Sequence, residues 1–265
     1  EDEAETLEIT LKDELAGIRV VLSYTVFENY DAITRSCRII NDSKKDVDVL
    51  RALSANVDFK NSDFDLIQLS GSWARERHII RTPLRNGGQC VESRRGASSH
   101  AQNPFIALVS KDANEDNGEV YGFNLVYSGN FLANVEVDMH SNARTQIGIN
   151  PFDFTWNLES GEEFQTPEAV MVYSDKGMNG VSQTYHKLYR TRLARGEWRD
   201  KVRPILINNW EATYFDFTED ILVDIAKTAK EDGIELFVLD DGWFGTRCSD
   251  TSGLGEIGRA SCRER

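Results

Sequence analysis

The feature that most constrains this chain is a change of periodicity near residue 177. Upstream of it, from Glu5 to about Tyr173, β-branched and aromatic residues alternate with polar ones, the period of strands with one buried face. The clearest runs are residues 18–27, 32–40, 47–59, 106–109, 120–126 and 133–139. Asn41-Asp42-Ser43 and residues 114–118 carry the turn chemistry of hairpin connections. Successive strands without intervening helices can hide an apolar face only against another sheet, so a large antiparallel sandwich is expected.

Downstream, Met178, Val181, Tyr185 and Leu188 fall at helical spacing and Gly196 supplies a stop, which reads as a connector helix. Pro204-Ile-Leu-Ile207 is a short, unbroken apolar strand. Thr218 can cap a helix with Glu219 and Asp220 in its first turn, Lys227 and Lys230 near its end, and Gly233 beyond. Residues 234–239 are a second buried-type strand, so 204–242 reads as a βαβ unit with parallel strands and a right-handed connection. A new domain is expected from about Trp198.

Composition narrows the function classes. The 265 residues carry a net charge of −14 at pH 7. Such a surface repels phosphate backbones and anionic headgroups, and no apolar run approaches the roughly 18 residues needed to span a bilayer. Nucleic-acid and membrane roles are therefore disfavoured, and polar neutral ligands fit better. The four cysteines, Cys37, Cys90, Cys248 and Cys262, show no C-x-x-C spacing, which favours a reducing compartment over a zinc site or disulfide framework. The chain opens Glu-Asp-Glu, with neither Met nor an apolar signal segment; a cytoplasmic location is expected, with the true start processed or missing. Residues 256–265 lack an apolar period and, reverse-translated, resemble read-through into a sequencing adaptor; the alternative is a genuine basic tail.

In a parallel α/β barrel, functional groups sit just past the C-terminal ends of the strands, where side chains face an open mouth. Two clusters occupy such places: Asn208-Asn209-Trp210-Glu211 and Asp240-Asp241-Gly242-Trp243-Phe244-Gly245. Carboxylates beside indoles suit a sugar, since acidic oxygens accept from hydroxyls while an aromatic face covers the C–H side of the ring. Adjacent Asp240 and Asp241 do not suit a facing acid and nucleophile, because neighbours on a strand point to opposite sides. They can bind hydroxyls, hold a hard cation, or simply build a strand-end turn. Other groups carry less. Asp112, Asn114 and Asp116 imitate a calcium loop, but Gly falls one place late and Phe123 stands where a bidentate Glu is needed. Consecutive Ser98, Ser99 and His100 cannot supply triad geometry, and His140 and His186 have no partner at ligand spacing.

Asn208-Asn-Trp-Glu-Ala-Thr-Tyr-Phe215 followed by Leu239-Asp-Asp-Gly-Trp-Phe-Gly245 resembles the opening of the barrel in microbial α-galactosidases of glycoside hydrolase family 36. Leu69-Ser-Gly-Ser-Trp-Ala-Arg-Glu-Arg-His78, Glu92-Ser-Arg-Arg-Gly-Ala-Ser-Ser-His100 and Asn103-Pro-Phe-Ile-Ala-Leu108 resemble that family's N-terminal β-supersandwich. The resemblance implies a multidomain chain: a supersandwich over 1–176 with its front missing, a helical linker over 177–197, and the first βαβ unit of a truncated (β/α)8 barrel over 198–255.

It also implies roles. Trp210 forms part of the sugar pocket wall, Asp240 and Asp241 accept from galactose hydroxyls, and Trp73 is the sandwich's contribution, against the plainer reading of Trp73 as core packing. Arg75, Glu76, Arg77 and His78 beside it suit a structural ion-pair cluster. The family's nucleophile and acid/base aspartates lie on later strands, so this chain is expected to hold no catalytic pair, no metal and no cofactor, and to be inactive alone. The intact parent is expected to be a homo-oligomer that hydrolyses α-galactoside oligosaccharides with retention. The alternatives are an α-N-acetylgalactosaminidase or raffinose-sugar transferase on the same scaffold, or a non-catalytic carbohydrate-binding sandwich.

Overall fold

The computed structural model describes residues 3–256; the expected adaptor-derived segment, Glu256 apart but with Cys262, lies outside the described residues. In chain order the strands are β1 (Ala4–Asp13), β2 (Ile18–Phe27), β3 (Ala32–Asn41), β4 (Val47–Val49), β5 (Leu53–Phe59), β6 (Phe64–Ser72), β7 (Arg75–Pro83), β8 (Gly87–Glu92) and β9 (Gln102–Ser110). They continue with β10 (Val120–Leu125), β11 (Phe131–Val137), β12 (Ala143–Ile149), β13 (Trp156–Leu158), β14 (Glu163–Gln165), β15 (Ala169–Ser174), β16 (Leu206–Asn208) and β17 (Leu236–Val238). The helices are α1 (Gly177–Leu188), α2 (Trp210–Thr213) and α3 (Glu219–Glu231). The chain divides into two units, one ending at Leu193 and the other beginning at Ala194.

In the first unit a nine-stranded antiparallel sheet runs β1-β2-β3-β15-β10-β9-β6-β7, with β14 also on β3, and a second sheet runs β5-β12-β11-β8. The period of two explains how both faces of the large sheet become buried. Ile106 and Leu108 of β9, Phe123 and Leu125 of β10, and Ala169 of β15 meet Phe131, Val135 and Ile147 of the second sheet. The alternate residues, Ala107, Val109, Val120, Val170 and Val172, form another core with Val181, Tyr185 and Leu188 of α1. The helix expected from Met178, Val181, Tyr185 and Leu188 thus forms, and packs on the sheet. Gly122 sits under it, where a Cβ would come within 2.9 Å of the Tyr185 ring and 3.0 Å of Val181.

Two local expectations are corrected. Residues 47–59 are two strands in different sheets, because β4 pairs with β13 while β5 pairs with β12. Asn41-Asp42-Ser43 does not join a hairpin between β3 and the next strand. Asn41 is fully buried, and its side-chain NH2 donates to the carbonyls of Lys45 at 2.8 Å and Leu158 at 2.9 Å, tying the chain to β13. The turn at 114–118 does join antiparallel neighbours, β9 and β10; its Asn114 Oδ1 accepts from the Asp116 and Asn117 amides.

In the second unit β16 and β17 are parallel, with Asn208 opposite Val238. Both strands are shorter than the apolar runs at 204–207 and 234–239. The connecting helix begins where expected: Thr218 accepts from the Ile221 amide, acidic Glu219 and Asp220 occupy the first turn, and Gly233 follows with φ +85°. No helix among the described residues is long and apolar enough to cross a membrane.

Candidate active site

Parallel pairing in register carries the two strand-end clusters to the same end of the β16–β17 pair. Asn208 Nδ2 donates to Asp240 Oδ2 at 2.7 Å. Asn209 is fully buried; its Oδ1 accepts from the Asp240 amide at 2.9 Å while its Nδ2 donates to Thr213 Oγ1 at 3.0 Å. One asparagine therefore fixes the backbone of the acidic pair to the short helix α2 that carries Trp210. The Trp210 indole meets the Tyr214 and Phe215 rings edge-on, at centroid distances of 5.3 and 5.0 Å. Trp210, Asp240 and Asp241 are all half-buried, so each retains access to solvent.

The two aspartates have different surroundings. Among the described residues Asp240 accepts from neutral donors, Asn208 Nδ2 and the Asp241 amide at 2.8 Å. Asp241 receives a forked guanidinium: Arg247 Nε lies 2.9 and 3.0 Å from its two oxygens and Arg247 Nη2 lies 2.6 Å from Oδ2. The Gly242 amide also donates to Asp241 at 2.8 Å. Hydrogen bonding to Arg247 holds the Asp241 carboxyl below the usual carboxylate range. Arg247 was not singled out from sequence; no local spacing marks an arginine six residues beyond its partner in an irregular loop.

Trp73 lies in the first unit, at the tip of the β6–β7 hairpin. Ser72 pairs with Arg75, leaving Trp73 and Ala74 as a two-residue turn, with Ala74 at φ +57°. The register shifts between Ser70 and Ser72, and a Cβ on Gly71 would fall on the Arg75 carbonyl oxygen. Thrust out by this turn, Trp73 is 85% exposed, so the core reading of its indole is excluded. Among the described residues no ion pair joins Arg75, Glu76, Arg77 and His78; Glu76 instead accepts from the Ala74 amide at 3.1 Å and steadies the tip.

His100 and His186, distant in sequence, both line a groove of about 760 Å³ beside α1 in the first unit, with Glu76, Arg77, Phe105 and Tyr185. Among the described residues no cluster of His, Cys, Asp and Glu has the arrangement to hold a metal ion.

The glycosyl hydrolase family 36 N-terminal domain matches residues 1–159, and the melibiase family matches residues 163–261. Alpha-galactosidase AgaA of Geobacillus stearothermophilus is 64% identical over 97% of this chain, which covers 35% of that protein. Alpha-galactosidase Mel36A of Lactobacillus acidophilus is 46% identical over 97% of this chain, covering 35% of its length. Crystal structures of AgaA variants in complex with stachyose and with raffinose each superpose with a TM-score of 0.92 at 64% identity, over 96% of this chain, which covers 36% and 35% of those chains respectively. This chain thus spans about a third of the length of the curated relatives it matches. With more than half of its residues inside the N-terminal domain match, the chain belongs to glycosyl hydrolase family 36.

Proposed function

We propose that this chain is the N-terminal portion of a retaining α-galactosidase: a β-supersandwich over 1–176, a connecting segment over 177–197, and the opening of a (β/α)8 barrel from 198. The observation that carries the reading is the pairing of Asn208 with Asp240. It sets Trp210 and the two aspartates at the C-terminal end of a parallel strand pair, where barrel enzymes place their substrates. Trp210 is the apolar wall and Asp240 and Asp241 accept from hydroxyls of a terminal galactose; Trp73, exposed at the tip of the β6–β7 hairpin, is the supersandwich's own sugar-binding residue. The substrates are α-galactoside oligosaccharides of the raffinose and stachyose type, the sugars bound in the AgaA complexes.

Hydrolysis proceeds by double displacement: a carboxylate supplied by the rest of the protein attacks the anomeric carbon, and a second protonates the leaving oxygen and then activates water. No cofactor takes part. The working enzyme is a homo-oligomer, and free Cys37, Cys90 and Cys248 support a reducing, cytoplasmic location. A non-catalytic carbohydrate-binding sandwich is not favoured, because relatives named as α-galactosidases match across both units.

The test is the complete reading frame assayed on an aryl α-galactoside. Retained anomeric configuration is expected, with the 265-residue chain alone inactive. Asp240→Ala should lower kcat/KM by about 10- to 150-fold, the worth of one charged hydrogen bond. An unchanged kcat/KM in that variant, or absence of α-galactoside hydrolysis by the complete protein, would defeat the proposal.

A further inference from the structure

Arg247 makes contacts in three directions. Its Nε and Nη2 fork onto Asp241. Its Nη1 donates to the carbonyls of Ser249 at 2.8 Å and Ser252 at 2.9 Å. Its guanidinium carbon stands 5.5 Å from the centroid of Phe215, the ring against which Trp210 packs edge-on. The Arg247 side chain is only 11% exposed, so these contacts are sheltered from bulk water. Gly242, at φ +95°, completes the junction; a Cβ there would come within 3.0 Å of Phe215 and 3.2 Å of Phe217.

We infer that Arg247 is a positioning residue for sugar recognition: the Ser249 and Ser252 carbonyls and the Phe215 ring hold its guanidinium so that it clamps the Asp241 carboxylate in one orientation. The inference rests on the galactose-site reading of Trp210, Asp240 and Asp241. A free aspartate rotates about χ1 and χ2, whereas a fork–fork pair restricts both angles and leaves the remaining carboxylate lone pairs aimed one way. Among the described residues Asp240 accepts from neutral donors, so the clamp separates two adjacent carboxylates by charge environment. Among the described residues the charged groups around this pair are Arg247, the neighbouring Asp240, Asp250, which acts on Arg247, and Glu256, whose carboxylate accepts from the Thr246 amide at 3.0 Å; Phe215 and Phe217, packed over Gly242, carry no charge.

The experiment uses the complete enzyme, with galactose binding by calorimetry and aryl α-galactoside hydrolysis each measured from acid to neutral pH. Arg247→Ala should weaken galactose binding at least about tenfold. It should raise KM more than it lowers kcat, and move the acid limb of kcat/KM to higher pH, since Asp241 loses the cation that favours its anion. Arg247→Lys should restore the limb while recovering only part of the affinity. In an Asp241→Asn background, Arg247→Ala should add little further loss in binding and no pH shift, whereas a purely structural loop role would give additive losses.

Additive losses, or unaltered affinity and limb in a folded Arg247→Ala enzyme, would overturn the assignment. If the wild type binds galactose without hydrolysing the galactoside and the Arg247 effects on binding persist, the catalytic reading fails and the positioning role stands. If it neither binds nor hydrolyses, both fall.

Discussion

Asp240 and Asp241 are adjacent and chemically identical, yet the fold gives one neutral donors and the other a guanidinium. Their place at a strand end was legible in the sequence, because a carboxylate pair beside Trp after an apolar run marks such an end. The difference between them was not, since it depends on how the loop returns Arg247. It has a measurable consequence. Asp241 releases its proton more readily folded than unfolded, so its contribution to stability is fully present above the ordinary carboxylate pKa and disappears as pH falls through the lower folded value. The thermal midpoints of wild type and Arg247→Ala should therefore differ most near neutrality and converge as pH falls below about 4. Asn41 teaches a related lesson. Its turn propensity is real, for its Oδ1 accepts from the Ser43 amide at 3.0 Å, but its NH2 is spent inward on β13. Asn41→Ala should cost roughly 2–3 kcal/mol in denaturant unfolding, because buried carbonyls lose their donor.

Among elements, β9 and α1 show what patterns can and cannot disclose. The alternation expected over the first unit implies strands with one buried face, but Phe105-Ile-Ala-Leu-Val109 is an unbroken apolar run, and both faces of β9 are packed. The apolar stripe of α1 was equally legible, but a stripe does not name its partner, so its docking on β10 and β15 required the structure. Gly122 leaves room for Tyr185 and Val181, and Gly122→Ala should force the helix outward and cost about 1–3 kcal/mol in urea unfolding. Tyr185→Phe should cost about 1 kcal/mol, since the Tyr185 hydroxyl donates to the buried Val170 carbonyl at 2.9 Å. The Val47–Phe59 run hid a change of sheet, because strand propensity persists across a bend that tertiary pairing alone dictates.

For the whole molecule, the two units differ in how far their strands are satisfied. The first builds three apolar clusters. In the second, Leu206, Ile207 and Leu236 remain exposed on a two-stranded sheet, and Ile205 just before it is exposed as well. Such a surface with open edges favours association, so the isolated 265-residue chain should bind a hydrophobic dye and show rapid amide exchange in 206–208 and 236–238; strong protection there would contradict this. The barrel assignment itself came from motif resemblance rather than from periodicity, which shows only one βαβ unit.

The pairing of β3 with β15 bears on how this protein is made. A ribosome releasing the chain from its amino end delivers β3 long before β15 exists, so the middle of the large sheet stays open until residue 174 has cleared the exit tunnel. Stalled nascent chains ending before Ala169 should remain protease-sensitive at β3, and resistance there should arrive only once β15 and α1 have emerged.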